Sequence, residues 1–441
     1  MTQGDVMGGL LAFSAPALIG NLLHQVYSLT DSVVVGRILG MEALAAVGCT
    51  LPIILLLASL MIGTNIGVGV LLSQAFGAHD MLRMRRGFLN SLYVGVAISL
   101  VLALLGAPLS KPILRLMGTP EGPLQNAPAY LRINFLTSVC PMLYYLFSCA
   151  FRGMGDSRTD LYCLIVSVAM NVALDILFVA VFRWGVAGSA WATALAQFTS
   201  AAFAAILLFK KYPVMRPEQS DLRPDGKIIR QVGKLSVPIA AQSAFNNLGN
   251  IVAQGAVNGF GAAAMAAYTA AGRVGAFALM PLETLGNTLS IYTGQNYGAN
   301  KPERLEEGKR VTLRLELILS TVLGLVLIVL GKPITRLFIE DASEELLRIS
   351  YQYLLIAAAP GAIAGVMLTY QQYLRGIGDT GASMRGGLIQ LFSKIAVIGV
   401  GAWLLRSLPV VWAAWPVSFA VAAVYLRQAY RKHTLQKANE K

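Results

Sequence analysis

Runs of about 20 apolar residues recur from one end of the chain to the other, separated by short segments where Arg, Lys, Asp, Gly and Pro collect. A helix rises about 1.5 Å per residue, so each run is long enough to cross the roughly 30 Å hydrocarbon layer of a bilayer. The pattern predicts about twelve helices, over 10–36, 44–73, 87–108, 128–151, 160–182, 187–209, 233–258, 264–295, 311–330, 346–373, 385–405 and 408–428. Several exceed what a span needs, which requires tilt, bending or extension past the membrane. Alternating segments of about ten residues, the mark of a membrane β-barrel, do not dominate. The expected fold class is an all-α polytopic membrane protein with about twelve transmembrane helices.

The longest polar interruption, 210–232, falls near the middle of the chain, and the chain repeats about it. Ser14-Ala-Pro16 matches Ser236-Val-Pro238, and Gln74-Ala-Phe-Gly-Ala78 matches Gln295-Asn-Tyr-Gly-Ala299. Lys111-Pro-Ile-Leu-Arg-Leu116 matches Lys332-Pro-Ile-Thr-Arg-Leu337, and Arg152-Gly-Met-Gly-Asp156 matches Arg375-Gly-Ile-Gly-Asp379. The offsets are 222, 221, 221 and 223, so register is kept across each half. Six helices per half is an even number, which makes the repeats parallel, with a substrate site expected between them. The domains expected are a six-helix lobe over 1–209, a cytoplasmic linker over 210–232 and a six-helix lobe with a basic tail over 233–441.

Charge adds orientation. Of 441 residues, 56% are hydrophobic and 13% charged, about half the charged share of a soluble domain. With the N-terminus inside, 23 Lys and Arg fall in inner segments and 7 in outer loops. Basic loops stay cytoplasmic, so both termini are expected inside. The net charge of +13 then reads as a topology signal with inner-leaflet phosphate contact, and not as a nucleic-acid footprint. The first residues carry no basic cluster, so the first apolar run reads as a membrane helix and not a removed signal. Cys49, Cys140, Cys149 and Cys163 sit in apolar runs and read as core residues; His24, His79 and His433 are too scattered for a metal site.

The chemistry lies inside the runs. Asp175 stands in the apolar run 161–182, where an acid costs ~3 kcal/mol or more on insertion scales. Asn171 is four residues earlier on the same helix face. In the first helix His24, Tyr27, Ser28 and Asp31 form one polar stripe, which should face the bundle interior or water. Two acids in one pocket raise each other's pKa, so Asp31 and Asp175 suit proton exchange. Equally, the oxygens of Asp31, Asn171, Asp175 and Thr193 suit Na⁺, a hard ion. The bland alternatives are acids that only satisfy buried donors and a Thr193 bonded within its own helix.

The repeat acts as an internal control. Asp31 falls on Ala253, Asn171 on Lys394 and Asp175 on Ile398, so coupling chemistry should live in the first lobe. The seventh helix keeps Gln242, Asn246 and Asn250 at i, i+4 and i+8, which suits a substrate cleft lined also by His24, Glu283 and Lys394. Lys394 either neutralises Glu283 or meets an acidic substrate group, and Glu283 is either a second proton site or a partner for Arg273 or Lys394. The Arg-Gly-x-Gly-Asp tags place Asp156 and Asp379 to cap the helices that follow. Without a preceding strand they are not phosphate loops, so the energy source is an ion gradient and no cofactor is expected.

Pro16 followed by Asp31-Ser-Val-Val-Val-Gly36, the paired Arg-Gly-x-Gly-Asp tags, Asn171-x-x-x-Asp175, and Ala270-Ala-Gly-Arg273 running on to Gln295-Asn-Tyr-Gly298 resemble the multidrug and toxic compound extrusion (MATE) family over essentially the whole chain. The resemblance implies an inner-membrane antiporter, not an enzyme, expelling amphipathic, usually cationic small molecules in exchange for H⁺ or Na⁺. It implies two lobes forming a V that rock between outward- and inward-open states. Members coupling through the N-terminal lobe imply a cation site at Asp31, Asn171, Asp175, Thr193 and Tyr27, with the first helix bending at Pro16. Acids that other members carry in the second lobe are replaced here by Gln242, Asn246, Asn247, Tyr370 and Gln371. The expected partners are small-molecule substrates and the bilayer, with no nucleic acid and a monomer as the working state. Two other readings are a lipid-linked sugar flippase of the wider superfamily, for which in-span basic residues are few, and an intramembrane enzyme, for which the outer loops carry no His.

Overall fold

The computed structural model describes residues 1–338 and 343–439, with side chains for all of these except 28–35, 337–338 and 434–439. Twelve long helical rods follow one another in the described residues. They are α1 (Val6–Val34), α2 (Met41–Gly77), α3 (Met81–Leu116), α4 (Ala127–Leu136 and Val139–Gly153), α5 (Ser157–Asp175, widening over Ile176–Val181) and α6 (Gly185–Lys211). The second set is α7 (Gly226–Asn258), α8 (Ala262–Gly298), α9 (Pro302–Phe338), α10 (Glu344–Tyr353 and Gly361–Gly376, joined through Leu354–Ala358), α11 (Thr380–Gly399, widening over Val400–Leu404) and α12 (Leu408–Asn439). Ten are long and apolar enough to cross a bilayer, and α4 makes eleven when its two pieces, bent by 47°, count as one span. The twelfth is α7, whose Gln242, Asn246, Asn247 and Asn250 lower its hydropathy.

Several helices outrun the apolar windows: α7 begins at Gly226 and α9 at Pro302. Their first turns are charged and amphipathic, so hydropathy sees only the part inside the membrane while the hydrogen-bonded rod continues into the polar region. The linker before α7 is itself ordered. Asp221 is fully buried between Arg85 and Arg86, with Arg86 Nε 3.0 Å from its Oδ1. Burial alone would raise this carboxyl, but the two arginines and the Glu218 amide hold it below the ordinary range.

The repeat is visible in the backbone. Left-handed residues recur in register: Gly40 with Gly261, His79 with Asn300, Gly155 with Gly378, and Arg183 with Arg406. At Gly155 (φ 85°) and Gly378 (φ 94°) the chain reverses between one helix end and the next helix, a conformation that favours glycine. The next residue then caps that helix, as the sequence predicts. Asp156 Oδ1 accepts from the Thr159 amide at 3.1 Å, and Asp379 Oδ1 from the Ala382 amide at 2.9 Å. The widened turns after Asp175 and after Gly399 lie within one residue of the same register.

Two compact units result, and they are not the two halves of the chain in sequence order. One comprises Ala15–Ala240; the other joins Met1–Ser14 to Ala241–Lys441. In the first unit the start of α7 packs on α2, where Gly63 and Gly67 allow backbone contact. A Cβ on Gly63 would lie 2.2 Å from the Ala240 Cα, and one on Gly67 2.6 Å from the Ser236 Cα. Such close approach through small residues is how helices associate in lipid, where burial of apolar surface gives little. In the second unit Val6 and Leu10 of α1 are buried in a cluster with Leu282, Leu289 and Leu374, and Ser14 Oγ donates to Thr288 Oγ1 at 2.9 Å. Each exchange ends beside a helix-interior proline, Pro16 in α1 and Pro238 in α7, where a backbone hydrogen bond is missing and bending is cheap.

Candidate functional site

Within the Ala15–Ala240 unit, three of the predicted cation-site residues are joined directly. Tyr27 OH donates to Thr193 Oγ1 at 3.2 Å, and Asn171 Nδ2 donates to the same oxygen at 3.3 Å. This ties α1, α5 and α6 together through one hydroxyl, so Thr193 is engaged across helices. Asn171 and Asp175 are both fully buried, one turn apart on α5. The Asn171 Oδ1 has no hydrogen-bond partner among the described residues. A buried amide oxygen left open is costly, and it offers an acceptor to a cation or to a protonated carboxyl. The backbone of Asp31 lies in α1 one turn beyond Tyr27, and its side chain lies outside the described residues. His24 is exposed, with its ring edge-on to Tyr27 at 5.6 Å. The widened turn over Ile176–Val181 begins at the residue after Asp175; such turns often sit at functional positions in helices.

Within the other unit, a cavity of about 560 Å³ opens between α7, α8, α10, α11 and α12. Four of the predicted cleft residues line it: Asn246, Asn250, Glu283 and Lys394. Lys394 is 7% exposed; its Nζ donates to Asn250 Oδ1 at 2.8 Å and lies 4.3 Å from the centre of the Trp415 ring. Neither expected ion pair forms: among the described residues no carboxylate lies within 4.0 Å of Lys394, and Glu283 has no basic partner at that distance. Gln242 is elsewhere. It is buried, and its Oε1 accepts from Arg375 Nη2 at 2.8 Å and from Ser383 Oγ at 3.2 Å.

The two Arg-Gly-x-Gly-Asp arginines show how the repeats have diverged. Arg152 Nε lies 3.4 Å from Asp160 Oδ2, and its Nη2 donates to Ser148 Oγ at 2.9 Å. Arg152 is half-buried and Arg375 buried, and the residue in register with Asp160 is Ser383, which accepts from Arg375 Nε at 3.0 Å. The second arginine donates to the neutral oxygens of Ser383, Gln242 and Gln372, where the first has a carboxylate.

Two residues lie outside the sequence reading. Trp415 gives no signal of its own, because its partner Lys394 is on another helix. Glu316 carries the same signal as Asp175, an acid inside an apolar run. It is fully buried on α9, accepting from Thr369 Oγ1 at 2.9 Å.

Two register-matched sets of membrane-crossing helices, each with buried polar and ionisable side chains in its interior, define a membrane transporter by class. The MatE family model matches this chain twice, over residues 16–177 and 238–399, and the chain belongs to that family. It is 31% identical over 444 residues to the probable multidrug resistance protein YoeA of Bacillus subtilis, covering 98% of this chain and 94% of that one. It is 24% identical over 339 residues to the multidrug export protein MepA of Staphylococcus aureus, covering 77% and 75%. The fold is shared with an outward-facing multidrug resistance MATE transporter, with TM-score 0.91 and 20% identity over 99% of this chain and 98% of that one. It is shared equally with a superfamily transporter from Pyrococcus furiosus described by the reverse polarity of its binding pocket, with TM-score 0.91 and 20% identity over 98% and 96%.

Proposed function

We propose that this protein is a secondary active exporter that expels amphipathic small molecules, cations among them, in exchange for H⁺ or Na⁺ at the α1–α5–α6 site. The observation that carries the reading is the fully buried Asn171–Asp175 pair, with the open Asn171 Oδ1 beside the Tyr27–Thr193–Asn171 network. An acid at that depth has no structural counterpart in the repeat, where Ile398 stands, so the scaffold does not require it. Asp31 and Asp175 would take up the coupling ion. Tyr27 and Thr193 would report its arrival to α1, whose missing hydrogen bond at Pro16 lets the helix respond by bending. Alternating access by rocking of two lobes in a V completes the cycle, with both termini cytoplasmic in the inner membrane and a single chain as the working unit. The export named for the relative MepA and the multidrug resistance named for YoeA support the direction of transport.

The test is transport in proteoliposomes with proton and sodium gradients imposed separately. Uphill export of a fluorescent cation driven by one of the gradients, and lost in Asp31→Asn, is the expected result. Transport at the normal rate by Asp31→Asn would remove the site from the mechanism. Transport indifferent to both gradients would remove antiport altogether.

A further inference from the structure

The cavity of the Ala241–Lys441 unit has a charge pattern that the coupling site does not use. Its ionisable walls are Lys394, Arg273 and Glu283, two bases against one acid. Lys394 is more than nine-tenths buried in a membrane-spanning helix, where an unpaired charge is costly and usually functional. Its ammonium has the Asn250 carbonyl oxygen on one side and the Trp415 face on the other, both neutral. Each stabilises a cation without cancelling it, and the π face orients it. The ammonium therefore retains donors for an anion. Tyr268 and Phe419 continue the aromatic wall begun by Trp415, giving flat apolar surface beside the charge. Register strengthens the point. Lys394 stands where the other repeat has Asn171, and Ser383 where it has Asp160, so both positions carry more positive charge in this unit than in the other.

We infer that this cavity is a binding site for the acidic group of an aromatic carboxylate or zwitterion. Lys394 takes the carboxylate, the Tyr268–Trp415 wall takes the ring, and Glu283 is available to an amine on the same molecule. This rests on the export reading and extends its cargo, beside simple cations, to molecules that carry an acid. A charge-assisted hydrogen bond in such a pocket is worth about tenfold or more in affinity.

Fluorescence titration of the purified protein with dansylglycine, its neutral amide dansylglycinamide and the cation dansylcadaverine tests the inference. The wild type should bind dansylglycine about tenfold more tightly than the amide, and the ratio should fall toward one in Lys394→Gln. Asn250→Asp gives the ammonium a carboxylate partner in place, so it should lower the same ratio with Lys394 present. Lys394→Arg should keep it. Each variant is first checked for monodispersity and unfolding temperature, and Asn250→Asp stands in where Lys394→Gln does not fold. No preference for the acid in the wild type, or a preference undiminished in both Lys394→Gln and Asn250→Asp, overturns the inference. Export of dansylcadaverine is scored separately in proteoliposomes: its failure sinks the export reading and leaves the binding ratio to stand or fall alone.

Discussion

A carboxyl, an amide and a hydroxyl carry the first set of expectations. Asp175→Asn or Asp31→Asn should reduce cation efflux to background with membrane abundance unchanged, measured as dye accumulation in cells against an immunoblot. Thr193→Val removes only the hydroxyl shared by Tyr27 and Asn171, each bond worth about 1 kcal/mol, so a loss of up to about thirtyfold is expected. Gln242 separates two readings by its own variant. Gln242→Leu strips an acceptor from the buried Arg375 guanidinium and should lower stability by ~2 kcal/mol, seen as a reduced unfolding temperature. A cleft residue would instead change substrate affinity with stability intact. Asp175 and Asn171 were legible in the sequence because an acid deep in an apolar run has few explanations. Gln242 was not, for a geometric reason. Residues at i, i+4 and i+8 drift by roughly 40° per step on a 3.6-residue helix, so Gln242 and Asn250 face about 80° apart. One meets Arg375 and the other the cavity. The Lys394–Trp415 contact joins α11 to α12, and no spacing rule within one helix could anticipate it.

Helices show the same division between local and distant causes. The number of rods, the caps at Asp156 and Asp379, and the repeated turns follow from hydropathy period, cap chemistry and glycine, all local signals. The proximity of α2 to α7 does not, because Gly63 and Gly67 matter only through the backbone they meet. Gly67→Val should push α7 away from α2 and lower the unfolding temperature of the purified protein, whereas Gly48→Val, with nothing within 4 Å of its Cβ, should leave it unchanged. Asp156 anchors the start of α5, accepting from Lys211 Nζ at 2.7 Å, Thr159 Oγ1 at 2.6 Å and Tyr212 OH at 2.9 Å. Burial raises this carboxyl, but the bonds from Lys211, Thr159 and Tyr212 outweigh burial and leave it below the ordinary range. A carboxyl depressed in the folded state contributes stability that is fully present above its unfolded pKa, about 4, and is lost as pH falls through the folded value. The unfolding temperature should therefore stay level to about pH 5 and decline below it, with a shallower decline in Asp156→Asn.

At the scale of the molecule, the duplication was legible because register survives in short tags even where side chains have diverged. The partition into units was not, since hydropathy assigns a helix to its sequence neighbours and packing assigns it to whatever it touches. Segment Met1–Ser14 belongs with α8 and α10, and the start of α7 belongs with α2. This exchange sets an order of manufacture. The ribosome delivers the first unit's last piece, ending at Ala240, only after the linker has been made, and the earliest residues of the chain wait for partners made much later. The first unit cannot close when its own six consecutive helices are complete, and the second closes only on a segment made at the very start. Two polypeptides produced by cutting within 212–225 would each carry a fragment that the other needs. They should be degraded when expressed singly and accumulate together when coexpressed, and an immunoblot of membranes from the three strains would show it.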